Sequence, residues 1–285
     1  MPTSPWAEPA ALAATAATTA RPRVAILFDY QDQWAAEIQP HAAGFGYWSQ
    51  LFAFYFPLRS LGIDVDLVPT KLAGRPAADG GRDLAPYRLV IAPAMQLAGE
   101  DLAARLSRYV SDGGHLLLGP RSGAKTVSGL AQPAAPGPLR ELVGARVTRV
   151  DSLRPGVTRT LRRTDDDHAL RYRTWADLLE PEGAETLAVY DDPAYRGAAA
   201  YLRRGSGAGE ARVLGASLEP EAMVELLAPW LEELGLDPDP LPEGVRRSGG
   251  WLLNFMDHEV HLAGATVPAH GAVRAPTSAR RGDPG

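Results

Sequence analysis

Four apolar runs at the start of the chain constrain its architecture most: RVAILFDY over residues 23–30, IDVDLVP over 63–69, YRLVIAPA over 87–94 and HLLLGP over 115–120. The first is continuously apolar with turn chemistry after it, the pattern of a strand covered on both faces. Between the first two runs lies GYWSQLFAFYFPLRSLG (46–62), with apolar residues at helical spacings, Pro57 as a kink or break, and Gly62 as a stop. GEDLAARLSRYVSDGG (99–114) forms the helix after the third run. Strand, helix, strand, strand, helix, strand with short links predicts an α/β domain built on a doubly wound parallel sheet.

The rest is less regular. Residues 131–144 are Pro-rich and end in a short helix, and VTRVDSL (147–153) alternates like a strand. GAETLAVYDD (183–192), AAAYLRRG (198–205) and EARVLGAS (210–217) read as further strands, the last two joined as a hairpin by a Gly/Ser turn. EPEAMVELLAPWLEELG (219–235) is an amphipathic helix with acidic residues in its first turn. A Pro/Asp linker (237–244) leads to a small β segment. The expected division is a disordered leader or linker over 1–22, an α/β domain over 23–236, a short C-terminal β domain over 244–270 and a disordered tail over 271–285.

Composition narrows the function classes. A net charge of −5 gives no basic footprint for nucleic acid. The absence of cysteine rules out disulfides, zinc–thiolate sites and cysteine nucleophiles, and fits a reducing compartment, so the expected location is cytoplasmic. No apolar run approaches the ~20 residues of a membrane span.

The loop after the fourth run invites a catalytic reading, because a nucleophile elbow sits at the end of a parallel strand. That elbow needs G-x-Ser-x-G or its cysteine equivalent. Here the residues are Gly119, Pro120, Arg121, Ser122 and Gly123, so Arg121 stands at the nucleophile position and Ser122 is one residue off. The expectation is a tight structural turn. His258 and His261 fall on opposite faces of a strand, poor geometry for a metal. Asp165, Asp166 and Asp167 with His168 read as a solvated loop tip. GSGAGEAR (205–212) lies between two strands, with no helix N-terminus to hold a phosphate. No catalytic, cofactor or metal residue is assigned. The helix at 46–60 carries aromatics nearly all round, which points to core packing or to contact with another chain. Trp48, Phe52 and Phe56 are the interface candidates.

Taken in order, RVAILFDYQDQWAAEIQP, the aromatic helix, LGIDVDLVP, YRLVIAPAMQL, LSRYVSDGGHLLLGPRSGAKT, PGPLRELVGARVTRVDSL, GAETLAVYDD and RVLGASLEPEAMVELLAPWLEELGL resemble the middle domain of glycoside hydrolase family 42 β-galactosidases. GVRRSGGWLLNFMDHEVHL resembles the start of that family's small C-terminal β domain. The resemblance implies a flavodoxin-like fold related to class I glutamine amidotransferases, a role in trimerisation, and a loop at 119–123 that has lost the relatives' cysteine. In whole enzymes of this type the trimer forms a bowl with its active sites facing inward, and catalysis belongs to a (β/α)₈ barrel. Glycoside hydrolysis needs two placed carboxyl groups. The family's acid/base glutamate follows an asparagine, whereas the one asparagine here, Asn254, precedes Phe255. The expectation is therefore a non-catalytic assembly part, a homotrimer, with a separately encoded barrel as a possible partner. Two rivals stand beside it. One is a hydrolase on the same fold, with His115 serving a nucleophile. The other is a ligand-binding domain holding an anion on Arg121, Ser122 and Lys125.

Overall fold

The computed structural model describes residues 22–248, 250–262 and 264–276. The expected leader, up to residue 21, and the end of the tail, from residue 277, lie outside the described residues. Strands β1 (Val24–Phe28), β2 (Val65–Pro69), β3 (Leu89–Ala92) and β4 (His115–Leu118) fall inside the four apolar runs. With β10 (Gly209–Leu214) they form the parallel half of a sheet, in the order β2-β1-β3-β4-β10. One register row crosses all five, from Val65 through Val24, Leu89 and His115 to Glu210. The C-terminal ends of β1, β3 and β4 therefore meet at one edge.

The sheet is mixed, not parallel throughout. It has eleven strands, and beyond β10 come β9 (Ala199–Ser206), β8 (Glu185–Tyr190), β6 (Thr158–Arg163), β7 (Ala169–Pro181) and β11 (Ala216–Leu218), with β5 (Ala145–Ser152) paired to β7. These pair antiparallel. The reason lies in the links: a parallel neighbour needs a crossover of a dozen or more residues, whereas short turns join β6 to β7 and β9 to β10 and allow only hairpins.

Helices cover both faces of the parallel half. The helices are α1 (Tyr30–Ile38), α2 (Tyr47–Ser60), α3 (Glu100–Ser111), α4 (Arg140–Val143) and α5 (Pro220–Glu233). Successive residues of β1 alternate between the two layers. Val24 and Ile26 join Leu51, Phe54 and Leu58 of α2 and Leu227 and Trp230 of α5. Ala25 and Leu27 join Leu106 and Val110 of α3 and Val143 of α4. Each fully buried Leu, Ile or Phe here stabilises the fold by about 1.5–3 kcal/mol.

The end of α2 locks the rest of the chain in place. Gly62 takes φ +74, and the Gly62 and Ile63 amides donate to the Arg59 and Leu58 carbonyls at 3.1 and 3.0 Å, a Schellman stop. Pro57 sits inside the helix without ending it. Arg59, buried, donates to Asp64 at 2.6 Å and Ile63 O at 2.9 Å, and reaches Arg247 O in the C-terminal unit.

That unit is a three-stranded sheet, β12 (Val245–Ser248), β13 (Trp251–Asn254) and β16 (Ala272–Arg274), with a hairpin of β14 (Val260–Leu262) and β15 (Ala265–Val267). Residues 272–274, expected in a disordered tail, instead pair with β13. The lone asparagine holds the unit together. Asn254 Nδ2 donates to the carbonyls of His258 (2.7 Å), Pro268 (3.0 Å) and Val267 (3.2 Å), and its Oδ1 accepts from Met256 N at 2.9 Å.

Candidate functional site

The elbow lies where the strand ends converge. Gly119 N donates to Ala92 O at 2.9 Å, and a Cβ at Gly119 would collide with the Pro93 carbonyl. Gly123, at φ +61, has no room either, because a Cβ would strike the Pro136 carbonyl. The glycines thus allow neighbouring loops, rather than a helix, to approach. Arg121 holds φ +66, a left-handed conformation that costs a non-glycine residue energy. Its amide donates to Asp177 Oδ2 at 2.7 Å, its guanidinium lies 5.1 Å from the centre of the Trp175 ring, and Trp175 Nε1 donates to Asp177 Oδ1 at 2.7 Å. Asp177 is buried, and burial pushes its carboxyl pKa up against those hydrogen bonds.

Ser122 is turned inward. It is 4% exposed, and its hydroxyl donates to the Gly119 carbonyl at 2.8 Å. His115 begins β4 while the elbow follows its end. At about 3.3 Å per strand residue, the histidine sits roughly 10 Å down the strand from Leu118. It faces Glu210, 3.7 Å away, and the edge of Trp230. The nucleophile–base pair that a hydrolase needs is not assembled. Nor do Arg121, Ser122 and Lys125 converge as a three-residue anion pocket, since the serine is committed to backbone.

The other predicted histidines and acids are engaged locally. His258 Nδ1 pairs with Asp257 at 3.0 Å and His261 Nδ1 with Thr266 at 3.1 Å. Asp165 pairs with Arg163 at 2.6 Å and His168 with Glu225 at 2.9 Å. Among the described residues no group of three His, Asp or Glu side chains stands ready for a metal ion.

The aromatic helix separates into two faces. Tyr47, Leu51, Phe54 and Leu58 are buried at helical spacing. On the opposite side Phe52 is 40% and Phe56 52% exposed, beside the half-buried Trp48. Trp48 stacks on Phe52 at 6.0 Å, and Phe52 on Phe56 at 5.1 Å. Helix α1, absent from the sequence reading, extends this row. Tyr30, Trp34 and Ile38 recur every fourth residue and are 56%, 57% and 84% exposed. Tyr30 meets Trp48 edge-on at 6.4 Å, and Asp29 N donates to Tyr47 Oη at 2.7 Å. The signal was present: Asp29 caps the helix, accepting from Gln31 N at 2.9 Å, and the Tyr-x₃-Trp-x₃-Ile spacing is one helical stripe. It is a stripe facing away from the core, so core periodicity does not reveal it.

A family model described as the β-galactosidase trimerisation domain matches residues 22–237. The chain belongs to that family. The matched span runs from just before β1 to just after α5, so both aromatic helices and the elbow fall within the trimerisation domain, and β12–β16 lie beyond it. The β-galactosidase Bga of Halorubrum lacusprofundi is 38% identical over 255 residues, which is 84% of this chain and 35% of that protein. The BgaA β-galactosidase of a Thermus species is 35% identical over 236 residues, 81% of this chain and 33% of that protein. The crystallised β-galactosidases from Halorubrum lacusprofundi and Rahnella sp. R3 both superimpose with a TM-score of 0.77, at 34% and 26% identity, each over 89% of this chain and 39% and 40% of theirs. The chain thus spans about a third of the length of the curated relatives it matches.

Proposed function

We propose that this domain holds a β-galactosidase-type glycoside hydrolase together as a homotrimer, through the aromatic row on α2 and α1. The observation that carries this is the exposure of five large apolar side chains, Tyr30, Trp34, Ile38, Phe52 and Phe56, around the half-buried Trp48, in a chain of a family described by its trimerisation. A specific interface buries roughly 1,200–2,000 Å² and is anchored by a few aromatic residues. A three-fold ring uses two different patches on each subunit, and the row supplies one of them.

The fold reading is flavodoxin-like, the arrangement shared with class I glutamine amidotransferases. The parallel strand order β2-β1-β3-β4-β10 supports it, since in order of appearance that is 2-1-3-4-5. Glycoside chemistry belongs to a catalytic barrel, attached or separately encoded, and no step of it falls to Arg121 or Ser122. Among the described residues no helix is long and apolar enough to cross a membrane, and the assembly is proposed to work in the cytoplasm without a cofactor.

A double charge substitution tests the assembly face. Phe52→Glu with Phe56→Glu places two carboxylates on the exposed side of α2 and leaves its buried stripe intact. The expected result is unchanged far-ultraviolet circular dichroism with dissociation to monomer. A variant that keeps the native oligomer at tens of micromolar overturns the assignment of this face.

A further inference from the structure

At the edge of the sheet opposite the elbow, the starts of β1 and β3 and the last turns of α3 enclose a cleft of about 330 Å³. Four arginines line it: Arg23 just before β1, Arg88 just before β3, and Arg105 and Arg108 on α3. The strand register brings the first two together, since Arg88 N donates to Arg23 O at 2.7 Å. The buried Tyr87 and Tyr109 also line the cleft, but their hydroxyls are spent. Tyr109 Oη donates to Tyr87 O at 3.0 Å, and Tyr87 Oη to Asp66 Oδ2 at 2.7 Å. Recognition is left to the charged groups.

Arg105 is fixed, with Nε donating to Ala73 O at 2.7 Å and its other end paired with Asp101. The other three guanidiniums are largely uncommitted. Arg23 Nη1 donates to Gly235 O at 3.0 Å, Arg88 Nη1 reaches Gly113 O at 3.4 Å, and the Arg108 side chain has no partner among the described residues. Three guanidiniums carry roughly fifteen N–H donors, so most are free for a ligand. Asp83 and Asp112 line the same cleft, yet neither is ion-paired with an arginine among the described residues. Asp83 instead accepts from Ala85 N at 3.0 Å. The negative end of α3 accounts for one cation in its last turn, Arg108. It does not account for Arg23 and Arg88, which precede strands. Like charges gathered in a concave wall focus the field and draw in anions.

We infer that the cleft binds a hydroxylated phosphomonoester, the chemistry of a phosphorylated sugar. Guanidinium forks match phosphate oxygens, and here three of them come from three separate segments. A bare phosphate leaves the two aspartates without a role, whereas hydroxyl groups on the ester donate to their carboxylates. The volume falls at the lower end of the roughly 300–1,000 Å³ of small-molecule sites. The inference stands apart from the aromatic face, because α3 packs on the side of the sheet opposite α2.

The test is a calorimetric titration of the 285-residue chain with glucose 6-phosphate, compared with glucose and with inorganic phosphate at matched ionic strength. The expected result is saturable binding of the ester, tighter than that of inorganic phosphate, and no binding of glucose. Arg88→Met is expected to weaken the ester at least tenfold, the loss of about one charge-assisted hydrogen bond. Arg23→Met, at an exposed position, gives the same loss if Arg88→Met folds poorly. Arg154→Met, on the exposed link between β5 and β6 and outside the cleft, removes the same charge and leaves the affinity unchanged. No saturable binding, equal affinity for inorganic phosphate, or an equal loss in Arg154→Met overturns the inference.

Discussion

Asp32 is the residue whose environment makes the sharpest prediction. It lies on α1, 2% exposed, with Oδ1 accepting from Leu97 N at 2.8 Å. Burial raises its carboxyl to about 7. A raised acid means that the folded chain keeps a proton which the unfolded chain loses near pH 4. Its contribution to stability therefore falls as pH rises from about 4 to 7 and stays at its lowest above that. Asp32→Asn keeps the acceptor and removes the charge. Urea melts are expected to show the variant more stable by about 2–4 kcal/mol at pH 8 and indistinguishable at pH 4. A variant that is less stable at pH 8 contradicts the buried, proton-holding carboxyl. At this scale the sequence revealed local devices, such as the Gly62 stop and the Arg121 substitution in the elbow. It did not reveal that Trp175, Asp177 and His41 surround Arg121, because those contacts join segments far apart in the chain and no spacing rule encodes them.

Among the elements, α2 separates core from surface within fourteen residues. Phe54 is 1% exposed and packs between β1 and α5, so Phe54→Ala is expected to lower the unfolding free energy by about 3–5 kcal/mol, measured by denaturant melts. Phe52→Ala, on the exposed face, is expected to change it by less than about 1 kcal/mol in the dissociated chain. Equal losses at the two positions contradict the two-faced helix. The four parallel strands and the three long helices at 47–60, 100–111 and 220–233 were legible because each carries a strong apolar period. Strands β6 and β7 were not. In β6 only Leu161 is buried, amid arginines. In β7 the alternation of Leu170 and Tyr172 breaks at Thr174, whose φ of +75 shifts the parity before Trp175 and Ala176. Helix α1 escaped because its apolar stripe faces outward.

At the scale of the whole molecule, the described residues form a mixed sheet wrapped by helices, with a small β unit clamped to the end of α2 and an aromatic row that none of them covers. Its family was legible from the ordered set of segments, although no single motif carries it. In the antiparallel half, β5, β8 and the β9–β10 hairpin were legible as well, whereas β6 and β7 were not. A molecule of this design supplies contacts, and the purified chain is expected to hydrolyse a chromogenic β-galactoside no faster than a buffer blank. Turnover abolished by replacing one of its own carboxylates contradicts that. The central claim, assembly through this domain, is tested most directly by light scattering coupled to size exclusion at tens of micromolar. The expected mass is three times the 30.4 kDa of one chain. A single peak at 30.4 kDa contradicts it.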